Sequence, residues 1–174
     1  MKSLTYYINE KLIIKKSKYK YFPQTKEELK DIILKRIKSE GNKVDLNDID
    51  VSNITDMSGL FNNSNFNGDI SNWNVSNVTD MKYMFCRCEE FNQDISAWDV
   101  SNVTNIGYMF YRCKSFNQDI SKWDVSNVID MNSMFYGCKS FNQDISKWDV
   151  SKVYNTINIF ENCPIEEKYK PKFR

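Results

Sequence analysis

Cysteine is the residue type in this chain that could carry out the most kinds of chemistry. Four of the five cysteines recur every 25 residues: Cys88, Cys113, Cys138 and Cys163. Such thiols could bind a metal, form disulfides or attack a substrate. Metal ligands must converge, whereas one cysteine per repeat makes a line. The chain has no histidine, which excludes a Cys–His or Ser–His catalytic pair. We expect reduced thiols buried in a repeated core, with Cys86 as the one accessible thiol. Disulfides between adjacent repeats are the alternative.

The aspartates are also periodic, in two series: Asp94, Asp119 and Asp144, and Asp99, Asp124 and Asp149. Such a series could bind Ca²⁺ between repeats. The simpler interpretation, which we favour, is that each carboxylate accepts a hydrogen bond from a nearby amide and caps a turn. We therefore predict no catalytic residue, no metal and no cofactor, and expect the protein not to be an enzyme.

Aromatic residues supply the candidate binding chemistry. Trp73, Trp98, Trp123 and Trp148 are strictly periodic, which favours a structural role between repeats over a role in binding sugars or peptides. Other positions differ from copy to copy, as exposed positions do. Among them is a group with interface-like composition, which we take as the candidate partner-binding residues: Tyr83, Arg87, Tyr108, Tyr111, Arg112 and Tyr136. A solvated face that is free to vary is the alternative.

A 25-residue repeat must position these groups. Full copies span residues 71–95, 96–120 and 121–145, with a shortened copy at 50–70 and a decayed one at 146–163. Apolar positions align between copies, as in the series Phe85, Phe110, Phe135 and Phe160. Met81, Met84 and Phe85 have helical spacing, and the flanking stretches are typical of strands. The repeats predict a leucine-rich-repeat-like, right-handed solenoid of about five units, each with short strands and a short helical turn.

An N-terminal segment, residues 1–46, precedes the repeats at 47–163, and a charged tail follows at 164–174. Thr25 and Glu28 form a capping-box motif, and the apolar residues after it have helical spacing up to Gly41. We predict a helix at 25–40 that covers the open end of the stack, preceded by a short hairpin within residues 1–22.

Charge is divided along the chain although the net charge is only +1. Residues 1–46 carry 12 Lys/Arg against 6 Asp/Glu (+6), whereas residues 47–163 carry 8 against 15 (−7). An acidic repeat region argues against nucleic-acid binding. We find no apolar stretch long enough to span a membrane and no signal peptide, which predicts a monomeric, cytoplasmic protein without membrane insertion.

The unit FNQDIS-x-WDVSNVTDM-x-x-MF-x-x-C resembles the repeat of the DUF285 family, also called the BspA-like or bacterial surface protein repeat. The resemblance covers residues 47–163 and implies a leucine-rich-repeat-type fold used to bind proteins, without catalysis. It also implies a cell-surface location as the alternative to the cytoplasm. The expected function is therefore a non-enzymatic protein-interaction module with an unknown protein partner. A surface adhesin or antigen that binds a host protein or glycan is the alternative.

Overall fold

A computed structural model describes residues 19–173 of the chain. Within that range it contains one α-helix, α1 (Lys26–Glu40), and one 3₁₀-helix, Glu167–Tyr169. The hairpin predicted within residues 1–22 falls almost wholly outside the described residues. The remaining described residues form turns and isolated bridges.

Helix α1 begins where its capping motif predicts. The Thr25 hydroxyl accepts a hydrogen bond from the Glu28 N–H at 3.2 Å, and the Glu28 carboxylate accepts one from the Gln24 N–H at 2.7 Å. Gly41, with φ 89°, donates its N–H to the Ile37 carbonyl and ends the helix. Leu29 and Ile33 are buried against the first repeat. The predicted helix at 25–40 is confirmed, one residue shorter at its start.

Backbone hydrogen bonds join each repeat to the next. In the first full unit, the N–H groups of Met81, Tyr83, Phe85 and Arg87 donate to the carbonyls of Asn105, Gly107, Met109 and Tyr111 at 2.6–3.0 Å. The equivalent four N–H groups of every inner repeat do the same, and we call each set an N–H row. Fewer backbone bonds run backward at each junction, as from Thr104 N–H to the Thr79 carbonyl at 2.9 Å. The row therefore gives the stack a direction.

The predicted leucine-rich-repeat-like solenoid, with strands and a helical turn in each coil, is wrong. The described residues contain no strand, and adjacent repeats share only single bridges such as Asp80↔Asn105. The reason lies in turns within the stretches predicted as strands: Phe91 N–H bonds the Cys88 carbonyl at 3.1 Å and Trp98 N–H bonds the Ile95 carbonyl at 3.2 Å. These carbonyls are then unavailable for a sheet. Left-handed residues, including Tyr83 with φ 60°, interrupt both helix and strand.

The interior is a set of stacked rings. One series consists of Phe85, Phe110, Phe135 and Phe160. The ring centroids of successive members are 5.7–5.8 Å apart. A second phenylalanine series packs against the first, with Phe110 and Phe116 3.9 Å apart. Each fully buried phenylalanine contributes about 1.5–3 kcal/mol relative to exposure. The aligned apolar positions predicted from the repeats thus form one continuous core.

The tail packs against the last repeat up to Phe173. The Glu166 N–H donates to Asn142 Oδ1 at 2.9 Å, and the Tyr169 carbonyl accepts a bond from the Ile145 N–H at 3.0 Å. Ile165 is buried, and the Phe173 ring lies 6.5 Å from that of Phe160. The tail therefore covers the aromatic side of the last repeat.

Candidate functional site

The six candidate partner-binding residues lie together on one surface, which we call the Tyr/Arg strip (Tyr83, Arg87, Tyr108, Tyr111, Arg112 and Tyr136). Ring centroids are 4.7 Å apart for Tyr83 and Tyr108, 5.6 Å for Tyr108 and Tyr111, and 4.9 Å for Tyr111 and Tyr136. Four tyrosines thus make one unbroken row across three repeats. All four are half-buried, with one side supported by the stack and the other facing solvent.

The two arginines are attached to the same row through the backbone. The Arg87 N–H donates to the Tyr111 carbonyl at 2.6 Å, and the Arg112 N–H to the Tyr136 carbonyl at 2.7 Å. The Arg112 guanidinium lies 5.4 Å from the centre of the Tyr111 ring, in cation–π range. Both arginines are exposed, so their charges are available to a ligand.

Four members of the strip have a backbone conformation that side chains disfavour. Tyr83, Arg87, Tyr108 and Arg112 have φ of 57–60°. Two left-handed positions recur in each repeat, and elsewhere in the chain they are filled mainly by glycine or asparagine: Gly59, Asn63, Gly137, Asn158 and Asn162, with Ser133 as the exception. A left-handed residue with a Cβ costs roughly 1–2 kcal/mol relative to the right-handed form. Among the described residues, tyrosine and arginine occupy these positions only in the first two of the three full repeats.

Sequence reasoning selected these residues by their variation and missed their conformation. Comparison of the copies held a usable signal, because Gly59 and Gly137 occupy the positions equivalent to Tyr83 and Arg87 respectively. Variation alone also singled out Cys86, Gly107 and Ser133, which the structure buries.

A recess of about 260 Å³ borders the strip. Arg112, Lys114, Tyr136 and Lys139 line it, together with Glu89, which pairs with Lys114 at 2.7 Å. Lys82 lies 5.3 Å from the Tyr83 ring centre at the other end of the strip. The strip and its border are therefore locally basic on a repeat region whose net charge is −7 by sequence (8 Lys/Arg, 15 Asp/Glu in residues 47–163).

The tryptophans have a structural role, as predicted. Trp73, Trp98, Trp123 and Trp148 are only 4–6 % exposed. Each indole N–H donates to a backbone carbonyl 27 or 28 residues earlier in the chain, as from Trp98 Nε1 to Ile70 at 3.2 Å. A ring with buried faces and a bonded N–H has nothing left to offer a ligand.

All five thiols are free, and those of the repeated series point inward. Cys88, Cys113 and Cys138 are fully buried, and each S–H donates to a phenylalanine carbonyl of the preceding repeat at 2.8–2.9 Å. Burial raises the pKa of Cys88 to about 11. The expected accessibility of Cys86 is wrong: the side chain is 7 % exposed, whereas Cys163 is half-buried. Thiols with raised pKa are poor nucleophiles at neutral pH.

The periodic aspartates cap turns, as predicted. Asp94 Oδ1 accepts the Ser96 N–H at 2.9 Å, and Asp99 Oδ1 accepts the Ser101 N–H at 3.1 Å. Hydrogen bonds from Ser121 to Asp119, chiefly from the hydroxyl and to a smaller extent from the backbone N–H, lower the pKa of the Asp119 carboxyl below its usual value. Within residues 19–173, no group of three acidic or cysteine side chains is arranged to hold a metal ion.

Comparison with protein families identifies the repeat. The family described as "Mycoplasma protein of unknown function, DUF285" matches residues 30–137 and 103–169. The chain belongs to the DUF285 family. The matched region includes residues 30–40 of α1 and all the repeats, and the resemblance seen in the sequence is confirmed. Searches of curated proteins and of solved structures return no match.

The description of the DUF285 family assigns no function. The function of this chain must therefore be inferred from the groups that its surface exposes. In the described part of the chain, no helix is long and apolar enough to cross a membrane. The periodic thiols, carboxylates and indoles are all engaged within the fold. The Tyr/Arg strip is the predicted site whose functional groups face outward.

Proposed function

We propose that this DUF285 chain is a non-enzymatic protein-interaction module that binds a protein partner through the Tyr/Arg strip. The observation that carries the proposal is the unbroken row of four half-buried tyrosines, Tyr83, Tyr108, Tyr111 and Tyr136, with centroids 4.7–5.6 Å apart. Tyrosine and arginine are the residue types enriched in the energetic centres of protein interfaces.

Preorganisation supports the proposal. A tyrosine already stacked on its neighbours loses little side-chain freedom when a partner covers it, so less of the contact energy is spent on ordering. Strain supports it as well, since Tyr83, Arg87, Tyr108 and Arg112 occupy backbone conformations that favour glycine. Strained residues of this kind cluster at binding sites, where the loss of stability is balanced by function.

A non-enzymatic role is consistent with the state of the reactive groups. The chain has no histidine to act as a general base. Burial raises the pKa of Cys88, Cys113 and Cys138, and the periodic carboxylates are occupied as turn caps. We further propose that the protein is a monomer and that its partner is neither a nucleic acid nor a membrane.

Affinity capture with matched variants tests the proposal. Tyr111→Ala is expected to weaken retention of the partner by about 10-fold or more, as for an interface tyrosine worth at least about 1.4 kcal/mol. Tyr154→Ala is the control, because Tyr154 is 76 % exposed but lies outside the strip. Equal retention by the two variants, or stronger loss with Tyr154→Ala, would exclude the strip as the binding surface.

A surface adhesin or antigen that binds a host protein or glycan is the second candidate. Stacked tyrosines beside arginine also suit the face of a sugar ring, which favours this alternative. We propose a cytoplasmic location because five unpaired thiols suit a reducing compartment. Cell fractionation combined with a glycan array separates the candidates: surface exposure together with glycan binding that Tyr111→Ala abolishes would establish the adhesin.

A further inference from the structure

The last repeat carries an N–H row with no following repeat. Its members are Thr156, Asn158, Phe160 and Asn162, at the positions equivalent to Met131, Ser133, Phe135 and Gly137 one repeat earlier. Each earlier row donates to four carbonyls of the next repeat. Among residues 19–173, no acceptor is paired with the four N–H groups of the last row.

The tail leaves this row accessible. A groove of about 900 Å³ lies between the last repeat and the tail. Thr156, Asn158 and Phe160 line one side, and Lys168 and Lys172 belong to the other. The tail is bonded to the repeat before the last one, at Asn142 and Ile145, and its Lys170 and Phe173 lie 5.6 and 6.5 Å from the ring of Phe160. Thr156, Asn158 and Asn162 are exposed, so a ligand can reach the row from solvent.

The inner junctions show which groups fit such a row. Met131, Ser133, Phe135 and Gly137 donate to the carbonyls of Asn155, Ile157, Ile159 and Glu161 at 2.8–3.0 Å, so the acceptors are alternate carbonyls of a short peptide segment. Successive N–H groups of turns with left-handed residues, here Asn158 and Asn162, also attract negative charge. Three lysines of the opposite wall (Lys168, Lys170 and Lys172) outnumber the two glutamates that line the groove (Glu161 and Glu167), and Lys168 also pairs with Glu166 at 2.8 Å.

A second copy of the chain does not fit as the occupant. Head-to-tail stacking would need the carbonyl end of the first repeat, but α1 covers it: Ile33, Leu34 and Ile37 lie against residues 59–62. Tail-to-tail contact would place one row of N–H groups against another, with no acceptor between them. Neither arrangement of a second copy supplies the missing carbonyls.

We propose that this groove binds an acidic peptide segment of a partner protein, whose alternate backbone carbonyls accept from the last N–H row and whose carboxylates face Lys168 and Lys172. Such binding adds one more turn segment to the stack, in the manner of peptides that extend a sheet edge. The site shares no residue with the Tyr/Arg strip, so the two surfaces can be tested separately.

Amide hydrogen exchange followed by NMR tests the proposal directly. The probe is a capped octapeptide of alternating glycine and aspartate, because glycine can adopt left-handed turns and aspartate supplies carboxylates. Without the probe, the amides of Thr156, Asn158 and Asn162 should exchange rapidly. With it, their exchange should slow by about 10-fold or more, while Tyr108 and Phe110 in an inner row stay unchanged. Unchanged exchange in the last row at saturating probe would overturn the proposal.

Charge variants provide the second arm. Lys168→Glu combined with Lys172→Glu should weaken binding of the probe about 10-fold or more. Lys122→Glu combined with Lys147→Glu makes the same charge change at exposed positions outside the groove and should leave binding within about 2-fold. Equal loss of probe binding by both double variants would attribute the effect to the net charge of the protein and would contradict recognition by Lys168 and Lys172. Full protection by inorganic phosphate, or by the matching glycine–lysine peptide, would likewise refute recognition of an acidic peptide.

Discussion

Replacing Arg87 by glycine should stabilise the protein, because the residue has a φ of 60° and is exposed. The left-handed conformation costs a residue with a Cβ about 1–2 kcal/mol. Glycine loses about 0.5–1 kcal/mol more chain entropy on folding. The difference leaves a net gain of about 0.5–1 kcal/mol, which for a chain of this size raises Tm by about 1–4 °C. Among the described residues, no ion pair or ring contact of the Arg87 side chain offsets this gain.

Urea denaturation of Arg87→Gly and Arg87→Ala isolates the cause. Both variants lose the guanidinium, but only glycine loses the Cβ, so Arg87→Gly should exceed Arg87→Ala by about 0.5–1 kcal/mol in free energy of unfolding. The converse change should destabilise: Gly137 has φ 69°, and an added Cβ would lie 3.3 Å from Arg112 Cγ. Equal stabilities for the glycine and alanine variants would refute the claim that the strip is strained.

The same variant links strain to function. If Arg87 is retained for binding, Arg87→Gly should weaken partner capture while it raises stability, which is the trade-off expected at a functional site. A variant that is more stable and binds equally well would show that Arg87 has no part in recognition.

Three further outcomes follow from the core and the titrating groups. Phe110→Ala should cost about 3–5 kcal/mol in urea denaturation, whereas Lys122→Ala should stay within about 0.5 kcal/mol; similar midpoints would contradict the stacked core. Burial raises the pKa of the Cys88 thiol from 9.0 to about 11. The contribution of this thiol to the free energy of unfolding is therefore complete below about pH 9 and is lost as pH rises toward 11. Cys88→Ala should accordingly lose less stability than the wild type over this pH range. The pKa of the Asp119 carboxyl is lowered from 3.8, so its contribution to the free energy of unfolding is present above about pH 4 and is lost at lower pH. Asp119→Asn should therefore lose less stability than the wild type on acidification. An unchanged dependence of stability on pH would exclude the turn cap.

Periodicity was sufficient to predict the burial of this protein because burial depends on side-chain type. Phe85, Phe110 and Phe135 occupy one position of the repeat, and the structure stacks them in one core. Helix α1 was predictable for a related reason: Thr25, Glu28 and Gly41 are local signals that act within a few residues of the chain.

The backbone between the core residues was not predictable in the same way. Met81, Met84 and Phe85 have the spacing of a helical turn, but consecutive turns put them on the same side of the chain equally well. Nothing in the residue type of Tyr83 indicates a positive φ, since tyrosine disfavours it. The deciding information lies in the equivalent Gly59, one repeat away. The prediction of strands in the flanking stretches fails because carbonyls there, such as those of Ile95 and Val100, accept hydrogen bonds within turns.

The direction of the N–H rows explains why the two ends of the stack differ chemically. At the first repeat the outward-facing row would consist of carbonyls, and beside it Lys26 of α1 donates to side chains of that repeat, to Asp56 Oδ2 at 3.1 Å and to the Ser58 hydroxyl. At the last repeat the row consists of N–H groups, and the chain supplies no anion to it within the described residues. An end that presents donors needs acceptors, and the lysines beside it favour acceptors that bring negative charge. The direction of one repeated hydrogen bond therefore predicts a ligand that brings acceptors to the last repeat, and no such ligand at the first repeat.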